Sequence, residues 1–261
     1  MAYDYAYMEG YELQPTKRVA LNIKAKPNKR SLNTREFKLG AQTMPTVESA
    51  LHLGIIRTTS LKDNMIKNVE GNIKKARSTY GLFGGGYHGN NGLDPDTLIH
   101  LFKTYITPVL LYGMELMIPK ATPLIQLELF QKRMLKQILS LPTSTADIAV
   151  YVLFGILPVE AQIHIRTLVL FNNICNQADN SIEKNLARRQ LIVKSNESSS
   201  WLIEIKYIPV LSKYNLREAS WYLNNSPKKS VWTSMVKRNI YEHWSKSITE
   251  SIPFYKGHHE S

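Results

Sequence analysis

The spacing of hydrophobic residues divides the chain into a short first part and a long second part. In the first part, apolar and polar residues alternate over residues 19–23, which predicts a half-buried strand. Residues 36–40, which end at a glycine turn, and residues 51–56 predict two further short strands, and we expect His52 to pack among its apolar neighbours. The first sixty residues are therefore predicted to be strands and loops.

From residue 61 onward, apolar residues recur every three or four positions, which is typical of amphipathic helices. The first helix is predicted over residues 61–83, before the glycines of residues 84–86. Further helices are predicted over residues 94–117, 122–140, 144–155, 158–177, 181–192, 200–213 and 227–250. A capping residue followed by proline marks three helix starts, at Asp94-Pro95, Thr122-Pro123 and Ser226-Pro227. The predicted fold class is mainly α, with a short N-terminal segment of strands and loops before a helical body.

The positive charge of the chain is concentrated in one segment. The formal net charge is +12, and residues 17–77 hold fourteen Lys or Arg against four acidic residues. Such asymmetry is typical of a surface that binds a polyanion, most often nucleic acid, although a solvated lysine-rich surface has the same composition. The candidate nucleic-acid contacts are Lys24, Lys26, Lys29, Arg30, Lys62, Lys67, Lys74, Lys75 and Arg77.

Several function classes are excluded by composition and motif. The single cysteine, Cys175, excludes a disulfide scaffold and a zinc site built on cysteines, and we expect it to be a small buried apolar residue. The sequence contains no P-loop, no nucleophile elbow and no His-Glu-x-x-His motif. No two of its six aspartates are adjacent, so converging carboxylates for a metal pair are not evident.

No targeting or membrane-spanning segment is visible in the sequence. The longest apolar stretch, residues 148–159, is shorter than the ~20 residues that span a bilayer, and Pro158 interrupts it. We therefore expect a soluble intracellular protein with no membrane partner, and the choice between nucleus and cytoplasm stays open.

A series of short segments carries a resemblance to a known family. The segments are Tyr-Glu-Leu-Gln-Pro-Thr-Lys at 11–17, Leu-His-Leu-Gly at 51–54, the basic helix, Gly-Tyr-His-Gly-Asn-Asn-Gly-Leu at 86–93, Thr-Pro-Val-Leu-Leu-Tyr-Gly at 107–113, Leu-Ser-Leu-Pro at 139–142 and Leu-Pro-Val-Glu at 157–160. None of them is specific alone. Taken in order over about residues 8–250, they resemble the C-terminal part of reverse transcriptases of non-LTR (LINE-type, jockey-like) retrotransposons.

The resemblance implies an organisation and a partner. Residues 1–60 would be palm-end strands and a basic loop, residues 61–140 thumb-like helices, and residues 141–261 a C-terminal helical region. Lys17 would correspond to the lysine near the phosphates of the incoming nucleotide, which makes it the candidate catalytic residue. The strand pair near the primer end would correspond to residues 51–54. The implied partner is an RNA/DNA duplex, held by its backbone without reading of the base sequence.

The chain departs from the family at the catalytic centre. In members of the family, a Tyr/Phe-Ala-Asp-Asp segment of the palm supplies the aspartates that bind two Mg²⁺ ions. Asp4 has no adjacent aspartate and lies too close to Lys17 to be that segment. We therefore expect no metal site and no cofactor in this chain, no polymerase activity from it alone, and Mg²⁺ only in a full-length parent enzyme. The missing palm and fingers of a longer chain would then be a further partner.

Two other hypotheses remain open. The chain could be a self-standing helical module that binds a protein partner, in which case its DNA binding would be weak and insensitive to salt. It could also be a retroelement relic without a selected function. The intact helix caps and periodicity argue against a relic, but a recent truncation would look the same.

Overall fold

The computed structural model describes residues 5, 8–10, 19–22, 36–39, 42–84, 93–193, 201–207 and 210–256. It is 68% helical with a few short N-terminal strands, which confirms the mainly helical fold class. The chain divides into two compact units, Met1–Gly71 and Asn72–Ser261. The three functional regions assigned from the resemblance stay predictions.

Short two-stranded sheets make up most of the regular structure described in the first unit. Strand β1 (Ala20–Leu21) pairs in parallel with β4 (Thr46–Val47). Strand β2 (Lys38–Leu39) pairs antiparallel with β3 (Gln42–Thr43). The alternating segment at 19–23 and the run at 36–40 therefore do form strands, each only two residues long.

The third sheet is a β-hairpin and corrects the sequence prediction. Strands β5 (Ser49–His52) and β6 (Ile55–Thr58) pair antiparallel, so residues 51–56 are not one strand. Leu53 and Gly54 form the turn with φ of +49° and +75°, the left-handed conformation of tight hairpin turns. Leucine rarely adopts this conformation, so an apolar run concealed the turn. His52 is exposed at this turn instead of packed.

Helix α1 (Leu61–Gly84) follows the hairpin and agrees with the helix predicted over 61–83. In the first unit, two buried asparagines of α1, one turn apart, bond backbone groups of β6. The side-chain oxygen of Asn64 accepts a hydrogen bond from Thr58 N–H. Asn68 accepts from Ile56 N–H at 2.9 Å and donates to Ile56 O at 2.7 Å. The asparagines thus satisfy groups that the hairpin ladder leaves free.

The second unit is built from helices. They are the remainder of α1, then α2 (Pro95–Leu101), a π-helical turn (Phe102–Ile106), α3 (Thr107–Leu110), α4 (Met114–Met117), α5 (Ala121–Ile138), α6 (Asp147–Phe154), α7 (Val159–Cys175), α8 (Ile182–Val193), α9 (Trp201–Tyr207), α10 (Val210–Lys213), α11 (Ala219–Asn224) and α12 (Lys229–Lys256).

The helix predicted over 94–117 is interrupted twice. Pro108 lacks an N–H, and its ring crowds the carbonyl four residues back, so the regular ladder gives way to the π-helical turn before it. There, Thr107 N–H donates to Phe102 O, five residues earlier. Gly113 then adopts a left-handed φ of +72° and separates α3 from α4.

The predicted helix starts have mixed outcomes. Asp94 caps α2 as expected, because its carboxylate accepts from Thr97 N–H at 2.9 Å. Thr122 is not a cap, since α5 begins at Ala121 after the N-cap Lys120. The helix predicted over 200–213 comprises α9 and α10, and α11 was not predicted.

The core of the second unit surrounds α7. Helices α4, α5, α8, α11 and α12 pack against it. Cys175 is buried, as predicted, in the same core cluster as Phe171 and Trp232. Trp232 is fully buried and donates from its indole nitrogen to Leu168 O at 2.8 Å.

No single helix among the described residues is long and apolar enough to cross a membrane. Together, α6 and α7 reach the required length and composition, with a bend of 52° between them. Most of the apolar residues of α7 are buried within the second unit.

The asparagine contacts with β6 predict a local stability effect. Replacing Asn68→Ala leaves the N–H and carbonyl of Ile56 without their partner, which costs about 1–3 kcal/mol. We expect native-state hydrogen exchange of the Ile56 amide to become at least tenfold faster. The matched control is Lys67→Ala, which removes an exposed neighbouring side chain. Equal exchange rates in the two variants would contradict the role assigned to Asn68.

Candidate functional site

The predicted nucleic-acid contacts fall into two groups. Lys24, Lys26, Lys29 and Arg30 lie outside the described residues, as does the candidate catalytic residue Lys17. The other five belong to α1: Lys62, Lys67, Lys74, Lys75 and Arg77. The side chains of the last four are exposed.

In the first unit, the exposed side of α1 carries both signs of charge. Lys67 follows Asp63 by four residues and precedes Glu70 by three, and all three are exposed. Residues at these spacings lie on one face of a helix, so the acidic groups offset the positive potential around Lys67. The basic surface predicted from composition is therefore weakened at this point.

In the second unit, the exposed part of α1 is purely basic. Lys74, Lys75 and Arg77 are exposed, and residues 72–84 contain no acidic residue. Among the described residues, no ion pair involves any of the three. We call these residues the cationic group.

The cationic group projects on both sides of the buried face. Ala76 is fully buried, and successive residues are about 100° apart around a helix axis. Lys75 and Arg77 therefore lie on opposite sides of the buried face that contains Ala76. Asn72, also buried, fixes this stretch by donating to Leu110 O at 3.1 Å and Tyr112 O at 2.8 Å. Positive charge on an anchored helix suits contact with a phosphate backbone.

A second cluster of polar groups lies around α7. His164 and Tyr214 are almost fully buried, and Nδ1 of His164 is 2.9 Å from the Tyr214 hydroxyl. The indole nitrogen of Trp244 donates to the same hydroxyl at 3.3 Å. Because an indole only donates, the phenol is free to give its own proton to a neutral imidazole. The carboxylate of Glu160 lies 2.8 Å from Lys213 Nζ and 4.0 Å from His164 Nδ1.

Burial controls the protonation of this cluster. It lowers the pKa of His164 to about 4, with a further lowering from Lys213 that Glu160 opposes. Burial also raises the pKa of the Tyr214 hydroxyl. At neutral pH both side chains are therefore uncharged, which suits their hydrogen bond inside the core.

Glu128 is a third buried titratable group. Its carboxylate accepts from the backbone N–H of Val159, the first residue of α7, at 2.8 Å. Burial raises its pKa to about 7, although this hydrogen bond and Lys132 both oppose the shift. Glu128 thus satisfies an N-terminal donor of α7, a group that has no partner within its own helix.

The hydrogen bonds and ion pairs of these groups suit a role in stabilising the core. Each polar atom described above is engaged by another protein group. Among the described residues, no set of His, Cys, Asp and Glu is placed to hold a metal ion. Sequence reasoning missed the pairing of His164 with Tyr214, because a separation of fifty positions leaves no periodic signal.

Comparison with known proteins finds no matching family model, no similar curated protein and no similar solved structure. The functional assignment therefore relies on the residues and their arrangement.

The buried acid and base predict opposite effects of pH on stability. The pKa of Glu128 is about 7 in the fold, above the ordinary value of 4.5, so its contribution to stability falls as pH rises from 4.5 to 7. The pKa of His164 is about 4, below the ordinary 6.5, so its contribution falls as pH drops from 6.5 to 4. The two contributions offset each other where these ranges overlap.

Replacing Glu128→Gln removes one of these contributions. The amide keeps an acceptor for Val159 N–H but cannot ionise, so we expect unfolding free energy to rise by about 1–3 kcal/mol at pH 8 and by little at pH 4.5. Urea unfolding at both pH values measures the difference. The exposed Glu242→Gln is the control and should have no such pH-dependent effect. An equal loss of stability at both pH values would show that Glu128 does not act through its ionisation.

Proposed function

We propose that this chain is the part of a non-LTR retrotransposon reverse transcriptase that follows the catalytic aspartates, and that it binds template–primer duplex without reading base sequence. The observation that carries the proposal is the cationic group, Lys74, Lys75 and Arg77, on an anchored helix. Three exposed cations in a stretch without acidic residues suit a phosphate backbone, and the nearest acidic residue in the sequence, Glu70, lies four positions before Lys74.

The order of elements gives further support. In the family, a strand pair near the primer end precedes the thumb. Here the β5–β6 hairpin precedes α1, and the Leu-His-Leu-Gly segment of the resemblance forms the end of β5 and the turn. Leu51 and Leu53 are 71% and 77% exposed at this turn. Exposed apolar side chains on a tight turn suit contact with sugars and bases at the end of a primer.

Salt dependence tests the proposed contact. Replacing Lys74, Lys75 and Arg77 together with Ala removes up to three phosphate contacts, each of which contributes roughly 0.7–0.9 to the slope of log K against log salt. We expect the slope for an RNA/DNA hybrid to fall by about 2 units. Fluorescence anisotropy between 50 and 300 mM KCl, roughly the range over which counterion release is resolved, measures it.

A charge-matched variant makes this test specific. Lys228, Lys229 and Lys237 are exposed at and within α12, and replacing all three with Ala removes the same net charge. This control should retain the slope of the unmodified chain within about 1 unit. An equal fall in both variants would indicate a diffuse charge effect and would count against the thumb assignment.

DNA synthesis by this chain alone is not expected. Phosphoryl transfer depends on metal-bound carboxylates, which the family places before the region that this chain resembles. The chain purified with Mg²⁺, an RNA template and a DNA primer should therefore extend no primer on a denaturing gel. Extension that requires Mg²⁺ and is lost in Lys17→Ala would contradict this expectation.

A protein-interaction role is the second candidate function. It is favoured by apolar residues exposed along α8, a surface that duplex binding does not use.

A further inference from the structure

The solvent-exposed face of helix α8 carries several apolar side chains. Ile182, Leu186 and Val193 are 73%, 51% and 67% exposed, and Arg189 is exposed between them. We call these four residues the α8 stripe. Isolated exposed apolar residues are common on proteins, but a line of them along one helix indicates an interaction site.

The spacing of the α8 stripe is that of a helix-packing seam. Its members follow one another by four, three and four residues, so they stay on one face over about 16 Å of helix. The opposite side of α8 is already used, because Ala187 and Lys184 are buried and the helix packs on α7, α9 and α11. The stripe is therefore a second contact face on a helix whose first face belongs to the core.

The charges of α8 indicate what the partner carries. Helix α8 contains three cationic residues. Asp179 forms ion pairs with two of them, Lys184 at 3.0 Å and Arg188 at 2.7 Å. Within the described part of the chain, Arg189 has no ion-pair partner. A guanidinium in the middle of an apolar seam becomes costly on burial unless a carboxylate meets it. The chain also carries a net charge of +12, which attracts acidic proteins over longer distances.

We propose that the α8 stripe binds an acidic amphipathic helix of a partner protein, with apolar seam residues over Ile182, Leu186 and Val193 and a carboxylate paired to Arg189. A second copy of this chain fits less well. In a parallel arrangement Arg189 would oppose itself, and in an antiparallel one it would lie over Leu186 of the other copy. Neither arrangement places a carboxylate opposite the guanidinium. This inference does not depend on the proposed duplex binding.

A pair of synthetic peptides tests the partner chemistry on the full chain. Both are amphipathic helices of about eighteen residues with leucine at the seam positions, and they differ in one central seam residue, Glu or Lys. We expect the Glu peptide to bind at least tenfold more tightly in fluorescence anisotropy, because the charged hydrogen bond forms only with it. The Arg189→Glu variant should reverse this preference.

Two exposed apolar residues provide the matched comparison. Leu186→Ser should abolish binding of the Glu peptide and lower the thermal midpoint no more than Val231→Ser does, because the two side chains are similarly exposed. Val231→Ser, on α12, should leave binding of the Glu peptide unchanged.

Three results would overturn the proposal. The first is a peptide preference that Arg189→Glu does not reverse. The second is a thermal midpoint clearly lower in Leu186→Ser than in Val231→Ser, which would mean that the chain itself covers the stripe. The third is a dimer that Leu186→Ser converts to a monomer in sedimentation experiments, which would identify a second copy as the occupant.

Discussion

The second unit depends on one constraint: α7 is buried along most of its length and still carries polar side chains. Such groups cost several kcal/mol when they are buried without partners, and several of them are paired by neighbouring elements, whereas Asn172 Nδ2 has no hydrogen-bond partner among the described residues. Thr167 donates to Glu115 O of α4 at 3.3 Å, and His164 meets Tyr214 directly after α10. Glu128 of α5 accepts from Val159 at the start of α7. The polar contacts of α7 thus help to fix where its neighbours lie.

Helix α1 follows the same rule with one residue type. Asn64, Asn68 and Asn72 are each about 5% exposed and occupy every fourth position. Asparagine is a modest helix former, so helix propensity does not explain three of them on a buried face. In the first unit Asn64 and Asn68 complete the hydrogen bonding of β6, and in the second unit the side-chain amide of Asn72 donates to the carbonyls of Leu110 and Tyr112.

Sequence reasoning predicted most of the long helices but missed two local breaks in the backbone. Apolar periodicity located α1, α5, α7, α8 and α12, and the capping rule identified Asp94. Periodicity gave a wrong prediction at Leu53, where a residue that avoids positive φ forms a hairpin turn. It was also wrong at Gly113, where one glycine ends a helix although the apolar spacing continues. For the candidate site, charge counting found the basic segment. It did not separate Lys67, which has acidic residues at helical spacing on both sides, from Lys75 and Arg77, which have none, because that distinction requires the helical arrangement and exposure.

The two proposed surfaces select partners by different physics. The cationic group attracts any polyanion, including an acidic protein, and its attraction weakens as salt screens the charges. The α8 stripe adds apolar area that salt does not screen, and a nucleic-acid backbone has no apolar seam to match it. An acidic partner helix would therefore gain binding energy from apolar contact with the stripe, which a duplex cannot make. A duplex would instead offer more phosphate contacts to the cationic group than the carboxylates of one partner helix could. Discrimination between the two ligands follows from apolar complementarity at α8 and phosphate density at α1, with net charge serving both.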